Sequence, residues 1–343
     1  MACPAKRPEA MPKPSKSGQN CLARPAMILT PAPLLGISCK LGPNPVIKTK
    51  VFNLMHRSCL FVPAANQKAM AKAGQLGADS LILDLEDGLA PPEKDIGRAA
   101  AIRFLRERND VSCPVYVRIN PADTALGQAD IRAICTEQPA ALVVPKVETG
   151  QQLQNVHDQM KSALSGTRKP IPALWAMIET PIGLLSLANI CRQGKALGLR
   201  GLIAGTNDLV HELRCASSPD RQSILAHLGQ IILHARAFGL LALDGVFNDF
   251  SDGDGFITQA RQGRALGFDG KTLIHPSQIA PANVAFGPTE AAIKQAKAII
   301  RAFSYQKNAG KGAINIGGQM FERMHLDAAN RLLAQLATEK STT

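Results

Sequence analysis

The stretch ALWAMIETPIGLLSLANICRQGKALGLRGLIAGTNDL, residues 173–209, decides the fold. It holds two short apolar runs, and each stops at an acid, Glu179 after ALWAMI and Asp208 after GLIAGTN. Near-continuous apolar runs of this length read as strands buried on both faces, the habit of parallel sheets covered by helices. Parallel strands bring their carboxyl ends to one edge, so these two acids, 29 positions apart, are expected at a common face. An oxygen-only pair of this kind suits a divalent metal, with water and substrate oxygens filling the rest of its shell. The competing reading is that each acid caps the helix that follows it.

Working outward, six more runs share the pattern: SCLFVPA (58–64), SLILDLED (80–87), PVYVRIN (114–120), ALVVPKVE (141–148), LALDGVF (241–247) and GKTLIHP (270–276). Helix-period segments such as QKAMAKAGQLGA and DIGRAAAIRFLRER follow them. Eight strands alternating with helices predict an α/β fold, a (β/α)₈ TIM barrel, over residues 55–283. A doubly wound sheet would display the same carboxyl edge. Residues 284–343 are expected to form a C-terminal helical lid segment. It comprises a helix in FGPTEAAIKQAKAIIRAFSYQ capped by Thr289 with Glu290 in its first turn, a flexible Gly-rich stretch GKGAINIGGQMF, and a final helix in MHLDAANRLLAQLA.

With 343 residues and 45% hydrophobic content, the chain has apolar material for one domain of barrel size or two ordinary ones. The formal charge of +12 resembles a nucleic-acid signature until it is located: eight Lys and Arg against one Glu place +7 of it in residues 1–56. Residues 1–54 read as a disordered, basic, Pro-rich tail, holding nine of the 23 prolines. A targeting segment or a start codon upstream of Met55 both account for it. Phe52 is the tail's one aromatic residue, so base stacking is unsupported and a nucleic-acid partner is not expected. The eight cysteines form no CxxC pair and no zinc spacing, which fits reduced, buried thiols in a cytoplasmic protein. The apolar stretch at 26–37 carries Pro31 and Pro33 and is shorter than the roughly 20 residues needed to span a bilayer.

Polar residues gather at the ends of the runs: Asp84, Glu86, Asp87, Arg118, Asn120, Lys146, Glu148, Asn207, Asp244 and His275. Arg118 ends PVYVRIN, where a planar, always-charged fork suits a carboxylate or a developing enolate oxygen; its bland alternative is an ion pair with Glu148 or Asp87. Three acids in DLED repel one another and need relief from a cation, Arg118 or Lys146. Arg57, Lys68, Lys94 and Arg98 surround the first two βα units as phosphate contacts, although a solvated helix face explains Lys94 and Arg98 equally. DGDG at 252–255 lacks the later ligands of an EF-hand and reads as a turn. His275 reads as a loop residue before Pro276 rather than a base, since no nucleophile motif accompanies it.

Taken together, RSCLFVPAANQKAMAKAGQLGADSLILDLEDGLAPPEKDIGRAAA, VYVRIN, VVPKVE, MIETPIG, GTNDL and GKTLIHPSQI resemble the citrate lyase β-subunit-like branch of the HpcH/HpaI aldolase family, from about residue 57 to 336. The resemblance implies a barrel that cleaves or forms 3-hydroxyacyl-CoA thioesters such as malyl-CoA or citramalyl-CoA, giving acetyl-CoA and a 2-oxo acid. It implies Mg²⁺, with Mn²⁺ as a substitute ion, on Glu179 and Asp208, and Arg118 as the substrate-orienting arginine. Asp84, Glu86 and Asp87 fall in the metal's outer shell, Asp87 among the catalytic groups and the other two on the substrate side with Thr206 and Asn207. Arg57 and Lys68 are similar to its CoA-phosphate contacts. The family's lid aspartate, donated to a neighbouring subunit, is replaced here by Glu322 in GGQMFERMH, which keeps the carboxylate and adds a methylene. That lid implies a homo-oligomer, a trimer or hexamer. The competing functions are a malyl-CoA thioesterase, a class II aldolase on free 2-oxo acids, and a non-catalytic binding or regulatory barrel.

Overall fold

The computed structural model describes residues 55–108 and 111–340; the expected disorder of residues 1–54 lies outside them. Eight parallel strands close into one barrel in sequence order: β1 Ser58–Pro63, β2 Ser80–Asp84, β3 Val115–Arg118, β4 Ala141–Val144, β5 Ala173–Ile178, β6 Leu199–Ala204, β7 Leu241–Asp244 and β8 Gly270–Leu273. Strand β1 pairs with β8, Cys59 opposite Thr272, which completes the ring and settles barrel against open sheet. Each of the eight apolar runs supplies one strand.

Among the described residues, ten α-helices follow the strands around the outside: α1 Gln67–Ala73, α2 Lys94–Glu107, α3 Ala125–Cys135, α4 Gly150–Ala163, α5 Pro181–Leu185, α6 Leu187–Ala196, α7 Thr206–Glu212, α8 Leu225–Phe238, α9 Gly253–Leu266 and α10 Ile279–Phe286. Their starts are chemically marked. Asn66, Thr124, Thr149, Thr180 and Asp252 each accept a hydrogen bond from a backbone N–H of the first turn, leaving fewer of its donors unsatisfied. Asp252 shows that DGDG is the start of α9.

The period of two along each strand divides two cores. Leu174, Ala176 and Ile178 of β5 pack outward with Leu142, Val144 and Leu202 against the helices. Trp175 and Met177 point inward with Ile82, Tyr116, Val143, Ile203 and Leu243, filling the barrel. Continuing that inward parity beyond β5 puts Glu179 at the barrel mouth.

Beyond α10, helix α11 Glu290–Ser304 carries the expected Thr289 cap and packs on α12 Arg323–Lys340. The stretch GKGAINIGGQMF, read as flexible, instead folds largely into an antiparallel hairpin, β9 Ala313–Ile316 and β10 Gln319–Glu322. Gly317 and Gly318 turn it at φ +59° and +86°, the left-handed pair that a two-residue hairpin turn requires. Ile314 and Phe321 then join Ala296, Ile299, Phe303 and Ala329 in a small core distinct from those of the barrel.

Candidate active site

At the carboxyl ends of the strands a cavity of about 270 Å³ is lined by Asp84, Asp87, Arg118, Glu179, Thr206, Asn207 and Asp208, over a floor that includes Phe61 and Met177. Seven of the expected site residues therefore meet in one place. Val246, Asn248, Thr272 and Ile274, from the ends of β7 and β8, also line it and were missed. Residues just past those strand ends were the available signal.

Arg118 is the most constrained group. Its Nε and Nη2 each donate at 2.7 Å to the two oxygens of Asp84, the planar fork-to-fork pairing only arginine makes. Asp84 also accepts the backbone N–H of Glu86 and of Gly88, both at 2.9 Å, so its carboxylate is saturated. Asp84, expected to contact substrate, is therefore an anchor for Arg118. Arg118 Nη1 reaches Asp87 at 3.3 Å, and its guanidinium carbon stands 4.8 Å above the Phe61 ring centre. The ion pair considered from sequence is thus present with Asp87, together with Asp84 and Glu86, but not with Glu148.

Glu86 approaches Nη1 at 2.9 Å off the N–H axis, and its buried Oε2 makes no hydrogen bond. Because Asp84 already neutralises Arg118, burial dominates and pushes Glu86 up to about 8, against the pull of Arg118. Glu86 is buried and does not line the cavity.

Glu179 is 1% exposed, and its Oε1 accepts the Lys146 backbone N–H at 2.7 Å. Lys146 holds φ at +48°, an uncommon left-handed conformation for a residue with a side chain. Burial, then the Asp208 charge, pushes Glu179 up to about 7. A Cβ on Gly205 would stand 2.4 Å from Glu179 Oε2, so glycine is what lets the β6 end approach this carboxylate. Lys146 Nζ also comes within 4.0 Å of Asp208 Oδ1, a lysine partner that sequence reading did not anticipate. Two repelling carboxylates on adjacent strand ends, one buried and one open to the cavity, form an oxygen donor set that fits Mg²⁺, and a cation there would relieve their mutual cost. Among the described residues no group of three or more His, Cys, Asp or Glu side chains is arranged to hold a metal, so water and substrate must complete the shell.

Several expectations fall elsewhere. Arg57 precedes β1, at the amino end of the barrel opposite the mouth, and pairs with Asp79 through Nε at 2.9 Å and Nη2 at 2.8 Å. It cannot meet a phosphate at the mouth. Arg98 bonds Asp130 and Asp95, both at 2.6 Å, and Lys94 Nζ donates to the carbonyls of Leu85 and Glu86, so both hold structure rather than phosphate. Lys68 stands exposed in the first turn of α1, on the mouth side. Asn120 is tied to Asp130, away from the cavity. Asp244 faces the helix layer, where Lys271 and Arg221 bind it. Glu322 ends β10, with its N–H donated to His325 Nδ1, and is not part of the cavity within this chain. No helix of the described residues is long and apolar enough to cross a membrane.

The site can be compared with known proteins. The family model described as HpcH/HpaI aldolase/citrate lyase matches residues 57–276. A (3S)-malyl-CoA thioesterase from Cereibacter sphaeroides is 38% identical over 280 residues, covering 81% of this chain and 94% of that one. The human protein named citramalyl-CoA lyase, mitochondrial, is 33% identical over 291 residues, covering 82% and 85%. Among solved structures, CitE from Mycobacterium tuberculosis in complex with magnesium, acetoacetate and coenzyme A superposes with a TM-score of 0.67 at 29% identity, covering 83% of this chain and 99% of that one.

Proposed function

The chain belongs to the HpcH/HpaI aldolase/citrate lyase family, and from that premise we propose that it is a Mg²⁺-dependent carbon–carbon lyase acting on a 3-hydroxyacyl-CoA such as malyl-CoA or citramalyl-CoA. The observation that carries this reading is the convergence of Arg118, Glu179 and Asp208 on one cavity at the barrel mouth. Magnesium in the related CitE complex supports the same ion here.

Glu179 and Asp208 would hold the ion, with Asn207 and Thr206 beside them. When bound, the ion supplies Lewis-acid polarisation of the hydroxyl and carboxylate oxygens of the acid portion. Cleavage removes the 3-hydroxyl proton, breaks the C2–C3 bond and leaves its electron pair on the thioester as an enolate. Asp87, exposed beside Arg118 in the cavity lining, would take the hydroxyl proton. Arg118 Nη1, which is not engaged by Asp84 and reaches Asp87 at 3.3 Å, would donate to the developing enolate oxygen, an interaction stronger in the transition state than in the ground state. Asp84 holds that guanidinium still, so little reorganisation is needed as charge develops. Glu322, brought by a second copy, returns a proton to the carbon, releasing acetyl-CoA and glyoxylate or pyruvate. Lys68 on the rim offers a charge to CoA phosphate. The reading includes a homo-oligomer in which each lid serves a neighbour.

A thioesterase is the second reading, favoured by the relative named (3S)-malyl-CoA thioesterase. Incubation with Mg²⁺ and malyl-CoA or citramalyl-CoA, following 2-oxo acid and free thiol separately, decides between them. Glyoxylate or pyruvate without free CoA is the expected result; free CoA without a 2-oxo acid would replace the lyase with the hydrolase.

A further inference from the structure

A buried cluster of charges stands behind the mouth, outside the cavity. Lys271 of β8 is 0% exposed and turned away from the barrel axis toward α9, since its neighbour Thr272 lines the cavity. Its Nζ donates to Asp244 Oδ2 at 3.1 Å, to Gln259 Oε1 at 2.8 Å and to the Gly245 carbonyl. Asp244, also 0% exposed, accepts Arg221 Nη1 at 2.6 Å and the Gly245 N–H at 2.9 Å through Oδ1. Thr272 Oγ1 donates to the Asp244 carbonyl at 3.0 Å. The Asp244 carboxylate and carbonyl and the Gly245 N–H and carbonyl are thus all fastened where β7 passes into its loop.

That loop reaches the metal site. A Cβ on Gly245 would stand 2.3 Å from Thr206 Oγ1, so the two loops abut. Three residues on, Asn248 exchanges two side-chain hydrogen bonds with Asn207, at 2.9 and 3.2 Å, immediately before Asp208. A buried ammonium is costly, and an apolar side chain would fill the same space, so its retention here calls for a reason beyond packing.

We propose that Lys271 is a positioning residue for the metal loop: through Asp244 and the Gly245 carbonyl it fixes residues 245–248, and through Asn248 it orients Asn207 and Asp208. The inference rests on Glu179 and Asp208 holding the metal. The charged groups facing Lys271 are Asp244 and Arg221, while α9 presents the neutral Gln259. Burial lowers the Lys271 ammonium to about 8, against the attraction of Asp244. The clamp therefore loosens as pH rises through that value.

The test uses the full-length protein with Mn²⁺ as probe, binding followed by electron paramagnetic resonance. Lys271→Met, which keeps the volume and removes the charge, is expected to weaken Mn²⁺ binding about tenfold, or about 1.4 kcal/mol. Wild-type affinity is expected to fall above pH 8, and the variant's to be flat there. Asn248→Ala reports on the same connection from the exposed end, so a Lys271 variant that fails to fold does not shelter the inference. Unchanged Mn²⁺ affinity in a folded variant, even with a lowered unfolding midpoint, would reduce Lys271 to a stability role and overturn the proposal. Absence of Mn²⁺ binding in the wild type would overturn the metal reading and this inference together.

Discussion

Arg118 and Asp84 are locked by two parallel hydrogen bonds of 2.7 Å, and Asp84 is in turn locked by two backbone N–H groups of its own strand-end turn. The acid at the end of β2 therefore acts on the reaction through the arginine at the end of β3. Asp84→Asn keeps the shape but removes the charge from a buried pair, leaving Arg118 facing only the exposed Asp87 and Glu86, whose carboxyl burial pushes up to about 8. Unpairing one partner of a buried ion pair costs about 3–5 kcal/mol, so denaturant unfolding should show a loss on that scale. Turnover should fall by about a hundredfold, the scale for disturbing a preorganised oxyanion donor. Unfolding and kcat measured on one preparation check both, and wild-type turnover in the folded variant would remove Arg118 from the chemistry.

How much of this was legible in the sequence depends on which physical rule governed each residue. Glu179 and Asp208 were legible because an acid closing an apolar run lies at a parallel sheet's carboxyl edge. Asp244 obeys the same rule and is still not in the cavity, because the end of a strand says nothing about which face a side chain takes; that follows from parity, and Leu243 holds the inward position. Arg57 failed for a related reason, since a charge before a strand lies at the other end of the barrel. In NIGGQ, two consecutive glycines were read as freedom, whereas alternating flanks and a two-residue left-handed turn specify a hairpin. The Asp84 saturation depends on backbone N–H directions in a turn, which no spacing pattern encodes.

Proton and metal compete for Glu179. Its carboxyl is pushed up to about 7 when folded, above its ordinary value, so the folded chain holds that proton more tightly than the unfolded one. The stability this contributes is present below the unfolded value and is lost as pH rises through about 7. Metal requires the ionised form, so Mg²⁺ affinity is expected to fall about tenfold per pH unit below that value and to level off between it and about pH 8, where the Lys271 clamp begins to loosen. Calorimetric titration from pH 5.5 to 8 checks this; a flat profile would remove Glu179 from the ligand set. In Glu179→Gln the acid limb should vanish along with most of the affinity.

Gly205→Ala introduces a methyl 2.4 Å from both Cβ and Oε2 of Glu179, and the Cβ cannot swing aside. Overpacking of this kind costs about 1–3 kcal/mol, and the strain falls on a proposed metal ligand. The variant is expected to fold with a lowered unfolding midpoint and to bind Mn²⁺ more weakly, whereas Gly166→Ala, with nothing within 4 Å at φ +76°, should lose stability alone. Equal metal affinity in the two variants would sever Gly205 from the site.

Glu322 supplies the sharpest test of assembly, because it stands on the hairpin beside α12 and not in its own chain's cavity. If a neighbouring copy's lid completes each site, Glu322→Gln and Glu179→Gln are each inactive yet complementary. An assembly containing both then includes some sites with a wild-type barrel facing a wild-type lid. Mixing the two variants under conditions that exchange subunits should restore activity, approaching a quarter of the wild-type value for random pairing of one barrel with one lid at equal amounts. Titrating one variant against the other distinguishes this from simple contamination, since recovery must rise and then fall with the mixing ratio. No recovery despite demonstrated exchange would mean that the lid closes on its own barrel or that Glu322 is dispensable, and the second case is recognised by Glu322→Gln retaining activity alone.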